Sequence, residues 1–211
     1  MVQPAAAQDN PPSQIDALGS EPSPKGQWRL GAFVGAARRS PINRRLGITP
    51  DRDHLFVGLQ AQTTVMKIGA ARLSWGVQLV PVVVIKGRSA PFGYGGPVDD
   101  EGLIPGPDTA HAFGFSPFAI ELAVPLGSRL GTYFAGAGGL IFFNRPFPVP
   151  EAHESNFTIE YGGGVSLRVG RRTWLQAGYK YHHLSNAYRE QVNPGVDGHV
   201  AYLGFWKGIG K

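Results

Sequence analysis

A histidine, a serine and an aspartate lie close together near the end of the sequence, and together they could hydrolyse an ester. His183 stands two residues before Ser185, and Asp197 follows twelve residues after the serine. Side chains alternate between the two faces of a β-strand, so His183 and Ser185 would share one face. An acid on the next antiparallel strand could return beside the histidine. These groups would supply the nucleophile, the base and the orienting carboxylate of a serine hydrolase.

The segment that carries His183 and Ser185 alternates like a β-strand. Its odd positions form a largely apolar face and its even positions include polar groups; the odd ones are Leu175, Ala177, Tyr179, Tyr181, His183 and Ser185, and the even ones are Trp174, Gln176, Gly178, Lys180 and His182. In a water-soluble sandwich the apolar face would form the core and bury the serine. In a transmembrane barrel the same face meets lipid, and a serine near the rim could reach lipid substrates. The direction of this face therefore decides whether the serine can act.

The composition indicates a turn-rich β protein of one domain. The 211 residues include 30 glycines and 18 prolines, with 42% hydrophobic and only 17% charged residues. No apolar run approaches the roughly 20 residues that a membrane helix needs. The net charge of +5 is spread along the chain without a basic stripe and interleaved aromatic residues, so no nucleic-acid partner is predicted.

The sequence also predicts no metal site and no cofactor. Cysteine is absent, which excludes disulfides and thiolate metal sites. The adjacent His182 and His183 would point to opposite faces of a strand and could not easily share an ion. His111, His153 and His199 show no spacing typical of metal ligands.

We divide the chain into three parts. Residues 1–27 form a leader that begins like the end of a signal peptide, although an incidental alanine run would look the same. The remainder of the leader is rich in Pro, Ser, Asp and Gln and is predicted to be disordered. Residues 28–206 form the folded domain, and 207–211 form a C-terminal tail.

Eight segments have the pattern of β-strands, and the connections between them alternate in length. The segments lie near 28–37, 53–64, 71–86, 111–125, 131–143, 156–169, 172–185 and 197–206. Long connections follow the first, third, fifth and seventh, and short ones follow the second, fourth and sixth. All long loops would then emerge at one end of the sheet, as in outer-membrane barrels with short periplasmic turns. The predicted fold is an all-β, eight-stranded antiparallel transmembrane barrel, which leaves no unpaired strand edge in lipid.

A soluble lipocalin-like barrel is the alternative, with an apolar lumen and a polar exterior. Alternation does not say which face is outside. Two further features favour the membrane barrel. Large aromatic residues cluster near the strand ends, as in interfacial girdles, and glycines on the polar face would suit a crowded, narrow interior; these glycines are Gly58, Gly76, Gly162 and Gly164.

The residues around the serine carry a family resemblance. The run His183-Leu184-Ser185-Asn186-Ala187, with Asn193-Pro194-Gly195 downstream, resembles the signature of the lipid A 3-O-deacylases, the PagL-like outer-membrane acyl hydrolases. The motif is specific over some 25 residues; elsewhere the likeness is one of size, strand count and loop pattern. The resemblance implies an eight-stranded barrel with its active site on the lipid-facing surface near the external rim.

The resemblance also implies roles for individual residues. Ser185 matches the nucleophile and His183 the general base. Asn186 and Asn193 match the asparagines of the motif and are candidates for oxyanion stabilisation or for bracing the loop. The third member of the family's triad is typically a glutamate, and its position is occupied here by Asp197, which is shorter by one methylene group.

The function implied by the resemblance is a serine esterase that removes the ester-linked acyl chain at the 3-position of lipid A. Its partners would be lipopolysaccharide and the lipids of the bacterial outer membrane, and a homo-oligomer remains open. Glu190 is an alternative acid without a positional match. Two rivals remain: a non-catalytic barrel with a structural or adhesive role, and the soluble lipocalin-like binder.

Overall fold

The computed structural model describes residues 27–41, 47, 49, 51–87, 98–100, 102–103, 109–190 and 192–209. Eight strands form a closed barrel in which each strand pairs with its neighbours in sequence and β8 returns to β1. The strands are β1 (Trp28–Ala37), β2 (Asp53–Ile68), β3 (Ala71–Lys86), β4 (Thr109–Pro125), β5 (Leu130–Phe143), β6 (Ser155–Gly170), β7 (Thr173–Ser185) and β8 (Val196–Ile209). All pairings are antiparallel. In the described part of the chain, no helix is long and apolar enough to cross a membrane.

The predicted fold class is confirmed, and the strand bounds differ from the predicted ones by a few residues. The largest differences are at the short-turn end, where β2 continues to Ile68 and β8 to Ile209. Trp28 lies opposite Ile209, so the two ends of the barrel sequence meet at this same end. The predicted leader lies outside the described residues except for Gln27.

The outer surface of the barrel is apolar and the lumen is polar. Large hydrophobic side chains face outward on every strand; Phe118 is 69% exposed and Leu203 is 64% exposed. The inward side chains include buried polar and charged groups, among them Gln78, Glu121, Glu160, Gln176 and Lys180. This polarity is the reverse of a lipocalin's and is that of a membrane barrel. The lipocalin-like alternative is therefore wrong.

The lumen is packed with side chains along the described strands. A Cβ atom at Gly58 would lie 2.1 Å from Cε1 of Phe33, so the crowding predicted for this glycine is present. The space left among the central lumen side chains amounts to about 50 Å³. The interior therefore serves to hold the wall rigid.

Two ion pairs between described residues lie in the lumen. Lys180 Nζ lies 2.6 Å from Glu160 Oε2, and Arg29 lies 2.9 Å from Glu121 Oε1. The sequence predicts a lumen network of ion pairs and hydrogen bonds that consists of Glu121, Glu160, Arg72, Arg168 and Lys180. The Lys180–Glu160 pair belongs to this network. The arginine that donates a hydrogen bond to Glu121 is Arg29 of β1, which points into the closed barrel.

Removing one member of the Lys180–Glu160 pair should destabilise the barrel strongly. Lys180→Met leaves the Glu160 carboxylate without a counter-charge in the lumen, with the hydrogen bond from Gln78 still in place, and such a loss typically costs about 3–5 kcal/mol. Urea unfolding followed by tryptophan fluorescence measures the difference. The double variant Lys180→Met/Glu160→Leu should recover most of the stability, since both charges are gone. A single variant as stable as wild type would contradict the expectation.

Candidate active site

β7 places His183 and Ser185 on the outer wall of the barrel at the long-loop end. Both side chains are partly buried, whereas Leu184 between them is fully buried in the lumen. Ser185 lies opposite Phe157 of β6, and His183 lies opposite Asp197 of β8. The face that carries the serine therefore points outward, as the membrane reading requires.

His183 and Asp197 form a hydrogen-bonded pair. The distance from His183 Nδ1 to Asp197 Oδ1 is 2.7 Å, and Asp197 is completely buried. An ionised carboxylate can only accept, so the ring donates through Nδ1–H. This tautomer leaves Nε2 free to accept a proton, which is the arrangement of a base oriented by an acid.

Ser185 lies two residues after His183 on β7, so its hydroxyl is on the same outward face. His183, Ser185 and Asp197 are together called the row. Among the described residues no hydrogen bond joins the Ser185 hydroxyl to His183. Catalytic hydrogen bonds are often long before substrate binds and shorten in the complex. The alternative acid, Glu190, is exposed in the loop after β7 and makes no described contact with His183.

Gly47, in the connection between β1 and β2, lies against the buried aspartate. The backbone N–H of Gly47 donates to Asp197 Oδ2 at 3.2 Å. Thr49 fixes this loop to the one between β7 and β8: its N–H donates to the Gly195 carbonyl at 3.2 Å, and its hydroxyl donates to the Pro194 carbonyl. Ser40 in turn donates to the carbonyl of Thr49 at 2.8 Å. Among the described residues, each carboxylate oxygen of Asp197 has one hydrogen-bond partner, and the residue is completely buried.

Sequence reasoning does not identify Gly47 and Thr49 as part of the site. The two loops lie about 150 residues apart in the chain, and neither has a periodic pattern. A glycine in a long loop is ordinary turn chemistry, so the spacing of residues contained no usable signal.

Only glycine fits at position 47. A Cβ atom there would lie 2.5 Å from Asp197 Cγ and 2.7 Å from its Oδ1. Gly47→Ala must therefore displace the loop or the carboxylate. A displacement of about 1 Å in such a group can cost on the order of 100-fold in rate. We expect kcat for the ester hydrolysis that the sequence predicts to fall by about 10–100-fold, measured by quantitative mass spectrometry of the released acyl chain.

The matched control is Gly127→Ala, in the turn between β4 and β5 at the opposite end. A Cβ atom at Gly127 has nothing within 4 Å, so activity should stay at the wild-type level. Equal kcat in Gly47→Ala and wild type would show that the contact with Asp197 does not position the acid.

The two motif asparagines brace the loop after β7. Asn186 is buried; its Nδ2 donates to the Val192 carbonyl at 2.7 Å, and its Oδ1 accepts from Tyr188 N–H at 2.9 Å. Asn193 Oδ1 accepts from the Asn186 N–H at 2.9 Å. Of the two roles predicted for Asn186, these contacts favour bracing, because its amide is already engaged. The side-chain amide of Asn193 is partly exposed and can still donate.

The backbone directly after the serine is strained. Ala187 has a φ of 54° and Tyr188 a φ of 59°. Residues with side chains rarely adopt this left-handed region, and such strain concentrates at functional sites. The hydrogen bonds of Asn186 hold the two residues in place. The chain therefore turns away from the wall immediately beyond Ser185.

Apolar and aromatic side chains surround the row on the outer wall. Ile159 lies opposite His183 and is 58% exposed. One step nearer the short-turn end, Tyr181 lies between Tyr161, at a ring distance of 5.4 Å, and His199, at 5.7 Å. An acyl chain lying against the barrel would meet these groups.

No metal-binding arrangement is found in the described part of the chain, where no three His, Cys, Asp or Glu residues come together. His182 faces the lumen and its Nε2 bonds with Thr158 Oγ1 at 2.8 Å, so it points away from His183. The two histidines therefore point to opposite faces of β7, as the sequence predicts.

A family model described as lipid A 3-O-deacylase (PagL) matches residues 69–206, well over half of the chain. The chain belongs to this family. The lipid A 3-O-deacylase family acts on lipid A in the bacterial outer membrane, which agrees with the apolar outer wall of the barrel. The match includes β7 and most of β8 but begins after β2, so the loop with Gly47 lies outside it.

Solved structures agree with the fold. The crystal structure of the outer-membrane enzyme PagL has 16% identity and a TM-score of 0.55, with 86% of this chain and 99% of that chain covered. The crystal structure of Neisserial surface protein A has 12% identity and a TM-score of 0.52, with 86% and 97% covered. At these identities the likeness concerns the barrel. No curated protein sequence matches the chain.

Proposed function

We propose that this protein is a serine esterase that hydrolyses the ester-linked acyl chain at the 3-position of lipid A. The observation that carries the proposal is the His183–Asp197 hydrogen bond, on the same outward face as Ser185. Family membership supplies the substrate class. A hydrolytic row on a lipid-facing wall needs no closed pocket, because the substrate arrives laterally within the membrane.

The first chemical step is acylation of Ser185. The hydroxyl oxygen attacks the ester carbonyl while Nε2 of His183 accepts its proton. Asp197 holds the imidazole through Nδ1 and stabilises the positive charge that develops on the ring. The imidazolium then gives its proton to the departing sugar oxygen, and the acyl chain stays on the serine as an ester.

The second step is hydrolysis of the acyl-serine. His183 takes a proton from water, which attacks the acyl carbonyl, and the proton returns to Ser185 as the fatty acid leaves. Water reaches this point because the row lies at the end of the barrel with the long loops. The site therefore needs lipid on one side and water on the other, which is the situation at the membrane rim.

The negative charge on the carbonyl oxygen requires hydrogen-bond donors. The candidate donors are the side-chain amide of Asn193 and the backbone N–H of Ala187, because the N–H groups of Asn186, Tyr188 and Arg189 already donate within the loop. Loss of one such donor typically costs on the order of 10²–10³ in rate. We assign Asn193 to this role and Asn186 to bracing the loop that presents it.

The test is direct. The barrel is refolded in uncharged detergent and incubated with purified hexa-acylated lipid A, and the products are analysed by tandem mass spectrometry. We expect loss of one acyl chain, with fragment ions that assign it to the 3-position. Loss from another position would overturn the stated specificity. Unchanged lipid A, with a barrel shown to be folded by its heat-modifiable migration, would favour a non-catalytic barrel.

A further inference from the structure

A second concave site lies at the opposite end of the barrel, where the short turns are. It is a cavity of about 310 Å³ at the mouth of the lumen. The residues that give it character are Lys67, Arg72, Arg129, Arg168, Ser166 and Trp174. In an outer-membrane barrel the short-turn end faces the periplasm.

The β2–β3 pairing brings two of these cations side by side. Lys67 lies directly opposite Arg72, after a register shift between Thr64 and Met66. Arg72 is in phase with Ser74, a fully buried inward side chain of β3. Paired residues share a face, so Lys67 and Arg72 both point into the mouth. Like charges directly opposite each other are destabilising unless something compensates them.

The described residues compensate these charges only in part, through the carboxylate of Glu121. None of the residues that line the cavity is a carboxylate. The acid deeper along β4, Glu121, is already bonded to Arg29 and Gln176. Arg72 Nε is buried, and no hydrogen-bond partner for it exists among the described residues. Positive charge therefore exceeds negative charge at this mouth.

We propose that this cavity binds a phosphate group at the periplasmic end of the barrel. The guanidinium of Arg72 forms the floor of the site, and Lys67 lies beside it. Arginine presents a planar fork of donors that matches phosphate oxygens, and the charge on lysine adds to the attraction. The phosphate comes either from a free ion or from the headgroup of a phospholipid in the periplasmic leaflet. This proposal is independent of the deacylase reaction.

The experiment uses inorganic phosphate as the probe. The refolded barrel in octyl glucoside, a detergent without phosphate, is titrated with phosphate by isothermal titration calorimetry. We expect saturable binding that weakens as sodium chloride is raised, because salt screens such attraction. Arg72→Gln should weaken binding about tenfold or more, since it removes charge-assisted hydrogen bonds. Lys67→Gln is the second variant and should act in the same direction.

The matched control is Arg38→Gln, which removes an exposed arginine at the opposite, long-loop end. It should bind phosphate as wild type does. Heat-modifiable migration shows that each variant is folded. Absence of phosphate binding in wild type, or equal affinity in wild type, Arg72→Gln and Lys67→Gln, would overturn the proposal.

Nanodiscs separate the two sources of phosphate. In discs of a galactolipid that lacks phosphate, added phosphate should bind as it does in detergent. In discs of phosphatidylglycerol, loss of the calorimetric signal would assign the site to a lipid headgroup, because the headgroup already occupies it. A signal of unchanged size there would assign the site to the free ion. Either result supports a phosphate site and names its ligand.

Discussion

Ser185→Ala is expected to abolish deacylation of lipid A while leaving the barrel folded. The side chain lies on the outer wall and is only partly buried, so its loss removes a hydroxyl without opening the lumen. Removal of the nucleophile in a serine hydrolase typically lowers kcat by about 10⁴-fold or more. The variant is incubated with hexa-acylated lipid A, and mass spectrometry measures the penta-acylated product against wild type over an extended time course.

Ser128→Ala is the matched control for this variant. Ser128 is exposed in the turn between β4 and β5, far from the row on β7. Its removal should leave both activity and heat-modifiable migration unchanged. If Ser185→Ala deacylated lipid A at a rate within tenfold of wild type, Ser185 would not be the nucleophile, and the esterase mechanism proposed for this wall would be wrong.

The strands could be predicted from the sequence because their signals are local. Alternation identifies a strand with one apolar face, and the lengths of the connections say at which end each loop lies. The same local information predicts that His183 and Asp197 meet, because a single loop joins the two strands and sets their register. The structure has this pairing.

Contacts between distant segments could not be predicted in the same way. Gly47 reaches Asp197 across 150 positions, and Arg29 reaches Glu121 across 92. Closure of the barrel brings the first strand and its loop beside the last, and it lets inward side chains of β1 and β4 meet across the lumen. Alternation places a side chain inside or outside, but it does not say which inward or loop residues become neighbours. For the same reason the sequence does not predict the cavity at the short turns, which is lined by Lys67, Arg72, Arg129 and Arg168.

Asp197→Asn is expected to lower kcat by about 10³–10⁴-fold. The asparagine keeps the shape of the side chain but no longer balances a positive imidazole, and it can present an amide donor to Nδ1, which favours the wrong tautomer of His183. The partner of the lost charge, the N–H of Gly47, remains in place. The rate of acyl-chain release and its pH profile measure the effect. Activity within tenfold of wild type would remove Asp197 from the mechanism.

Asp197→Glu separates charge from geometry at the same position. Glutamate is the acid that the family signature typically has here, so charge alone predicts full activity. The structure predicts a lower activity, because there is little space between Gly47 and Asp197. A Cβ atom added at Gly47 would lie 2.5 Å from Asp197 Cγ. A longer acid must push the loop that carries Gly47 away or turn from His183. We expect activity between those of wild type and Asp197→Asn. Wild-type activity in Asp197→Glu alone would show that the loop yields freely and that the close contact does not select the shorter acid.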